Sequence, residues 1–124
     1  MTEDIIAKIN LTDKLAKFAD TWAPRVIAEL NDYQLKVVKI QGEFVWHTHE
    51  NTDELFLVVQ GTMSIEFKTY TVDLEAGELL IVPKGTPHKP MATHECQVLL
   101  IEPRGVVNTG DHSGELTAEN DRWV

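Results

Sequence analysis

The segment Gly42 to Gly61 reads GEFVWHTHENTDELFLVVQG and is the most informative stretch of the chain. It contains two histidines one residue apart, His47 and His49, and a carboxylate, Glu54, five positions after the second. Alternate side chains of an extended strand point to the same face, so we expect the two imidazoles to point the same way. If the chain turns back through the polar run ENTD, Glu54 comes alongside them. Two neutral nitrogens and one anionic oxygen form a three-sided site that suits a divalent transition metal.

A second stretch, GELLIVPKGTPH from Gly77 to His88, supplies a third histidine. Residues 79–82 predict a short apolar strand. Pro83 and Gly85 predict a turn after it, because proline fixes φ and glycine allows a positive φ. A turn at this point could bring His88 to the open side of the triad.

Together the two stretches resemble the paired sequence motifs of the cupin superfamily, over about residues 35–102. The residues that fall on these motifs are His47, His49, Glu54, Gly61, Gly77, Pro83, Gly85 and His88. The chain departs from the pattern twice. Four residues instead of five separate Gly42 from His47, and Ala92 stands where the family has an asparagine that is not a usual metal ligand.

The resemblance implies an all-β fold, namely a small double-stranded β-helix (jelly-roll) cupin barrel, here with a short N-terminal helix. It also implies a metal site formed by His47, His49, Glu54 and His88. A site with three histidines and one glutamate accepts Fe, Mn, Ni, Co, Cu or Zn, so the sequence leaves the identity of the divalent transition metal open.

Length and charge restrict the class of protein. A chain of 124 residues suits one domain, which we divide into residues 1–32 (helix and edge segment), 33–103 (barrel) and 104–124 (loop and tail). The net charge of −9, from 11 basic and 20 acidic residues, argues against nucleic acid and anionic membranes as partners. A single cysteine, Cys96, fits a reducing compartment, and we see no leader or membrane-length apolar run. We therefore expect a cytoplasmic protein.

The N-terminal region predicts one helix. Thr12 is a plausible N-cap for a helix over Asp13–Ala19, and Pro24 would end it. The run IIAKIN in residues 5–10 could pair as a short edge strand. After this region, β-rich segments and turn residues predict strands over residues 26–30, 33–41, 44–49, 55–59, 62–68, 69–74, 79–82, 88–93 and 97–101.

Three predicted strands are apolar at every position, which indicates cover on both faces: 55–59, 79–82 and 98–101. Residues 62–68 alternate instead and should face water on one side. Because one small barrel has a single interior, we expect a second copy to cover part of the outside. The sequence thus favours a homodimer.

The remaining candidates have simpler interpretations. Asp53 could exchange roles with Glu54, although the spacing favours Glu54. His94 and His112 lack ligand spacing and should be solvated. Arg104 could bind a substrate carboxylate, but a surface salt bridge is the more common role of such a residue. Two further residues are expected to pack, Cys96 in the core and Trp46 in an interface or under the helix.

Four protein ligands would leave two positions of an octahedral ion open for water, O₂ or a chelating small molecule. A redox metal would then permit oxygenase chemistry, and a non-redox metal would permit isomerase or epimerase chemistry by Lewis-acid action. We see no second carboxylate placed as a general base unless Asp53 or a tyrosine turns inward, and the expected inner face is apolar: Val45, Phe56, Val58, Met63, Ile65, Phe67 and Ile81. This favours a dioxygenase-like protein acting on a small molecule, and a non-catalytic ligand-binding module is the alternative.

Overall fold

A computed structural model describes residues 5–124 as one short helix and seven β-strands. The elements are α1 (Leu11–Leu15), β1 (Arg25–Leu30), β2 (Tyr33–Glu43), β3 (Glu54–Gln60), β4 (Thr62–Glu66), β5 (Thr71–Glu75), β6 (Leu79–Val82) and β7 (Lys89–Pro103). All pairings between these strands are antiparallel. The predicted all-β class with a short N-terminal helix is confirmed. Within the described residues, no helix is long and apolar enough to cross a membrane.

Strand β7 holds the barrel together. The main sheet has the order β1-β2-β7-β3-β6, and β4 pairs with both β5 and β7. The first residues of β7 pair with β4, where Met91 lies opposite Ser64, and its later residues pair with β3, where Val98 lies opposite Val58. One long strand therefore contributes to both sides of the barrel, where two separate strands, 88–93 and 97–101, were predicted.

Side chains that alternate along the strands fill the interior. The inward-facing apolar residues include Val38, Ile40, Phe56, Val58, Met63, Ile65, Val98 and Leu100. Burial of each large apolar side chain contributes about 1.5–3 kcal/mol. A second, outer cluster of Leu15, Ile27, Val37 and Leu99 lies where α1 packs on the sheet. The predicted alternation of β4 is confirmed, since Met63 and Ile65 are buried.

The N-terminal predictions need correction. The helix begins two residues earlier than predicted, because the side chain of Asn10 accepts a hydrogen bond from the Asp13 backbone N–H at 3.0 Å and so caps it in place of Thr12. It spans Leu11–Leu15 and not Asp13–Ala19. Residues 5–10 form no strand, and residues 1–4 lie outside the described part of the chain.

The predicted strand 44–49 is also not regular. Strand β2 runs through Gly42, which has φ +83°, and ends at Glu43. Between β2 and β3, only His47 pairs with another strand segment, through an isolated antiparallel β-bridge to His88. The tail after Pro103 contains no helix or strand longer than a single bridge.

One outer face of the sheet is open in the single chain. Leu79 and Ile81 of β6 are 55% and 52% exposed, and Leu55 and Leu57 of β3 are only half-buried. Ile81 therefore points outward, which corrects its predicted place on the inner face. The reason is that side chains alternate between the two faces of a strand. In β6, Leu80 and Val82 point inward, so Leu79 and Ile81 point outward.

Two glycines with nearly equal φ allow a test of the barrel's close packing. An added Cβ at Gly61 (φ +89°) would lie 2.9 Å from the Glu95 carbonyl oxygen, whereas one at Gly77 (φ +87°) would meet nothing within 4 Å. We expect Gly77→Ala to lower the free energy of unfolding by about 1–2 kcal/mol through the left-handed φ alone. Gly61→Ala should cost at least ~1 kcal/mol more, because a backbone carbonyl cannot move aside cheaply. Urea unfolding followed by tryptophan fluorescence measures both, and equal losses would contradict the packing at Gly61.

Candidate metal centre

Three segments bring the four predicted ligand residues together. His47 and His49 lie on the irregular segment between β2 and β3, Glu54 is the first residue of β3, and His88 directly precedes β7. Their side chains are buried, with residue exposures of 3%, 6%, 4% and 1%. One ligand atom from each lies within 4.8 Å of the others. The sequence pattern therefore predicted a cluster that is compact in space.

The backbone sets the protonation pattern of two imidazoles. The Nδ1 atom of His47 lies 2.9 Å from the Val45 carbonyl oxygen, and the Nδ1 atom of His88 lies 2.9 Å from the Thr86 carbonyl oxygen. Because a carbonyl oxygen only accepts, each Nδ1 must carry the proton and donate. When either ring is neutral, its lone pair is then on Nε2. This second contact on the non-ligating nitrogen is the usual way in which proteins orient a histidine toward a metal.

The cluster contains an unsatisfied atom that fits a cation. The Nε2 atom of His49 is buried and has no hydrogen-bond partner among the described residues, although it lies 3.4 Å from Glu54 Oε1. The Nε2 atom of His88 is 3.3 Å from the same oxygen. A buried polar atom without a partner costs about 1–3 kcal/mol, and an ion between these donors would remove that cost. Three imidazole nitrogens and a carboxylate are also a donor set that divalent transition metals prefer.

Electrostatics favour the ligand forms of Glu54 and His47 but act in the opposite direction on His49. Burial raises the pKa of Glu54, but the close Nε2–H groups and positive charges that His49 and His88 supply when protonated outweigh it and hold the pKa well below its usual range. Burial and the neighbouring His88 lower the pKa of His47 to about 4. Burial also acts to lower the pKa of His49, but the carboxylates of Glu54, Glu102 and Asp111 raise it overall. At neutral pH Glu54 is thus an anion and His47 is a neutral donor.

An apolar cavity of about 30 Å³ adjoins the cluster. His47 and Glu54 form its polar edge, and Asn108 lines it from the tail. The indole of Trp22 stacks on Phe44 with ring centroids 4.5 Å apart. The other lining residues are Pro24, Val38, Ile40, Phe56, Pro90, Val98 and Leu100. The cavity has room for water-sized molecules and few groups that could hydrogen-bond a polyhydroxylated ligand.

A second buried carboxylate beside the cluster contradicts the expectation that no such group exists. Glu102 is 1% exposed, and its Oε1 lies 2.8 Å from the Lys36 ammonium. Burial and the charge of Glu54 raise the pKa of Glu102 to about 7, against the opposing effect of Lys36. A signal for it existed in the sequence, because Val98, Leu100 and Glu102 alternate along one strand and so share its inner face.

Asp111 in the tail was also missed. Its carboxylate accepts a hydrogen bond from the Thr48 backbone N–H at 2.7 Å, and its own N–H donates to the Thr48 carbonyl oxygen at 3.0 Å. Thr48 lies between the two clustered histidines, so the tail fixes the segment that carries them. No local sequence pattern links residue 111 to residue 48.

The other candidate residues lie outside the cluster. Asp53 is exposed and accepts a hydrogen bond from the Lys84 backbone N–H at 2.9 Å, so Glu54 and not Asp53 joins the histidines. His94 and His112 are exposed, as predicted. Arg104 forms a surface ion pair with Glu29 at 2.8 Å.

The two residues expected to pack differ in outcome. Cys96 is buried as expected, and burial raises its pKa to about 11, so the thiol is unreactive. Trp46 is 37% exposed and lies beneath the Lys68 ammonium at 4.3 Å, instead of under the helix.

Comparisons with known proteins agree with this fold. The family model described as "Cupin domain" matches residues 35–102, more than half of the chain. The chain therefore belongs to the cupin family. A cupin-2 domain containing protein from Shewanella frigidimarina, whose crystal structure is known, is 55% identical in sequence to this chain. The match covers 77% of this chain and 94% of that protein's chain, with a TM-score of 0.77.

Two further relatives have no reaction in their names. Protein NMB1881 from Neisseria meningitidis is 32% identical, with coverage of 78% and 99% and a TM-score of 0.73. Uncharacterized protein YdbB from Bacillus subtilis is 42% identical over 64 residues, which are 51% of this chain and 57% of YdbB. The match thus spans little more than half the length of YdbB. These likenesses establish the family and the fold.

Because His47 is buried, we predict that its imidazole titrates at an unusually low pH in the metal-free protein. Its folded pKa of about 4 lies below the unfolded value of 6.5, so the unfolded chain binds the additional proton between these pH values. His47 should therefore stay neutral from pH 8 to pH 5, and this group should favour unfolding as the pH falls from about 6.5 to about 4. Imidazole ¹⁵N NMR, assigned with a His47→Gln variant, measures this directly. A His47 midpoint near its unperturbed value would contradict the buried, neutral ring.

Proposed function

We propose that this cupin binds one divalent transition metal through His47, His49, Glu54 and His88 and uses it for oxygenase-type chemistry on a small, weakly polar molecule. The observation that carries the proposal is the convergence of four buried ligand atoms within 4.8 Å at the edge of an apolar cavity. A buried cluster of this composition without an ion would leave charged and polar atoms poorly compensated.

The proposed ligands divide the work between binding and orientation. Glu54 supplies the anionic oxygen, and His47 and His88 present Nε2 because their Nδ1 atoms are bonded to backbone carbonyls. A redox-active ion such as Fe(II) would supply the one-electron chemistry that O₂ activation requires. The protein's own contribution is to hold the donors rigidly and to limit access of water.

The cavity walls support the choice of ligand class. Side chains such as Phe44, Phe56 and Leu100 offer no hydrogen bonds, and only His47, Glu54 and Asn108 are polar among the lining residues. A weakly polar molecule that enters by widening this small cavity would gain from such walls, whereas a sugar would leave its hydroxyls without partners.

One observation favours a second candidate function. The carboxyl of Glu102 lies inside the barrel close to Glu54 and is a group that could exchange protons with a bound molecule. Metal-dependent isomerase or epimerase chemistry needs such a group near the ion. The two candidates differ in whether O₂ is consumed.

The metal content of the protein tests the ligand set. Protein purified untagged and without chelators should contain about one transition-metal ion per chain by elemental mass spectrometry. A His47→Ala/His49→Ala variant should lose it while its far-UV circular dichroism stays that of a folded barrel. His94→Ala and His112→Ala are matched controls, since both residues are exposed and outside the cluster. Stoichiometric metal in the double variant would place the site elsewhere.

Oxygen consumption separates the two candidate functions. Protein loaded with Fe(II) should consume O₂ when small phenols or thiols are added, and the His47→Ala/His49→Ala variant should not. Absence of O₂ uptake together with solvent-hydrogen exchange into a small carbonyl compound would reject the oxygenase and support the isomerase candidate.

We propose that the protein works in the cytoplasm.

We also propose that two copies of the chain pack through the open outer face of β3 and β6. Helix α1 covers only the part of the sheet around Val37 and Leu99. Leu79 and Ile81 stay more than half exposed, and both lie on the outer face of β6. A two-fold dimer would bury the same apolar patch on both copies.

Charge substitution tests this interface. Light scattering of the wild type at micromolar concentration should give twice the chain mass of 14.0 kDa. Ile81→Lys should shift it to one chain mass, because the interface would bury an unpaired ammonium. Tyr70→Lys, at another exposed hydrophobic position, is the control and should stay dimeric. A monomeric wild type would reject the proposed assembly.

A further inference from the structure

The strand register places Glu102 next to Glu54. Strand β3 pairs with β7 so that Leu55 lies opposite Ile101. One step further along these antiparallel strands, Glu54 and Glu102 are cross-strand neighbours. Such residues have Cβ atoms about 4.5–5.5 Å apart and point to the same face. Both are buried in the barrel, at 4% and 1% exposure.

Lys36 reaches Glu102 from the other neighbour of β7. In the pairing of β2 with β7, Lys36 lies opposite Leu100, one inward position before Glu102. Its ammonium lies 2.8 Å from Glu102 Oε1 and donates to the Val106 carbonyl oxygen at 3.3 Å. Lys36 is itself only 3% exposed. The second oxygen of Glu102, Oε2, is buried without a hydrogen-bond partner in residues 5–124.

Stability alone gives no reason for this ion pair. Taking two charges out of water costs several kcal/mol per ion, and apolar residues of similar volume often serve a core at least as well. The pair is instead placed where its charges act on Glu54. With Glu102 present, the Lys36 ammonium is bound to Glu102. Without it, the ammonium would lose its ion-pair partner while still buried in the barrel that also holds the Glu54 carboxylate.

We propose that Glu102 and Lys36 are a positioning pair for the metal centre. Glu102 holds the Lys36 ammonium and keeps it from competing with a metal for the Glu54 oxygens. Lys36 in turn offsets the negative charge that Glu102 adds beside Glu54. The pair therefore sets the affinity of the four-residue site for a divalent ion. This inference rests on the proposed metal-binding function.

The test measures Co(II) binding to the full chain by calorimetry and by the visible absorption of the bound ion. Glu102→Gln should weaken binding by roughly 10–100-fold, in the range of other groups that orient metal ligands. A second variant, Lys36→Met/Glu102→Gln, should recover part of that loss, because the unpaired ammonium is gone. A merely structural role predicts instead that the double variant binds no better than the single one.

The exposed pair of Arg104 and Glu29 provides the matched control. Its ions are also 2.8 Å apart but lie on the surface, so Glu29→Gln should leave Co(II) affinity and spectrum unchanged. Urea unfolding identifies any variant that fails to fold. If the wild type binds Co(II) and Glu102→Gln binds it equally well with the same spectrum, the positioning role is overturned and the metal site stands. If the wild type does not bind Co(II), the metal site itself fails.

Discussion

The burial of the Glu54 carboxylate is the constraint on which this structure depends. An ionised carboxylate inside a protein is strongly destabilising unless it is paired. Its partners, the Nε2 atoms of His49 and His88, lie 3.4 and 3.3 Å from one of its oxygens. They come from two segments on either side of β3 in the sequence. The site can therefore form only when the barrel closes, and the same contacts that stabilise the buried charge assemble the donor set.

The interior of the barrel changes character along β7. Val98 and Leu100 face an apolar interior, and the next inward residue, Glu102, is charged. Strand β2 runs antiparallel to β7, so there the charged residue, Lys36, comes before the apolar residue, Val38. The four-residue cluster lies at this boundary, with the apolar cavity on one side and the buried ion pair on the other. A molecule in the cavity would contact apolar side chains and the edge of the cluster. The charges of Lys36 and Glu102 would act on the Glu54 carboxylate instead.

Much of the site could be predicted from the sequence, because the information was local. The spacing of His47, His49 and Glu54, together with the Pro-Lys-Gly turn before His88, was sufficient to name the four residues that the fold brings together. The helix start was misplaced because Asn10 and Thr12 are both good caps, and only the Asn10 contact decides between them. Glu102 was missed although its alternation with Val98 and Leu100 indicated an inward position, because the residue that compensates its charge there, Lys36, is distant in the chain.

The outer surface was harder to predict for a different reason. Apolar residues at every position of β6 indicate cover on both faces, but the pattern does not state what provides the cover. In the single chain Leu79 and Ile81 are open, so the fold of one copy does not supply the cover that this pattern predicts. The identity of the ion is equally beyond the sequence, since its donor set accepts several metals.

Anomalous X-ray diffraction from crystals of the metal-loaded protein, recorded on both sides of the absorption edge of the loaded metal, tests the central claim most directly. The account predicts one strong anomalous peak per chain, about 2.0–2.3 Å from a nitrogen of His47, His49 and His88 and from a Glu54 oxygen. A peak at another position, such as the exposed His112 in the tail, or no peak in crystals grown with excess metal, would contradict it.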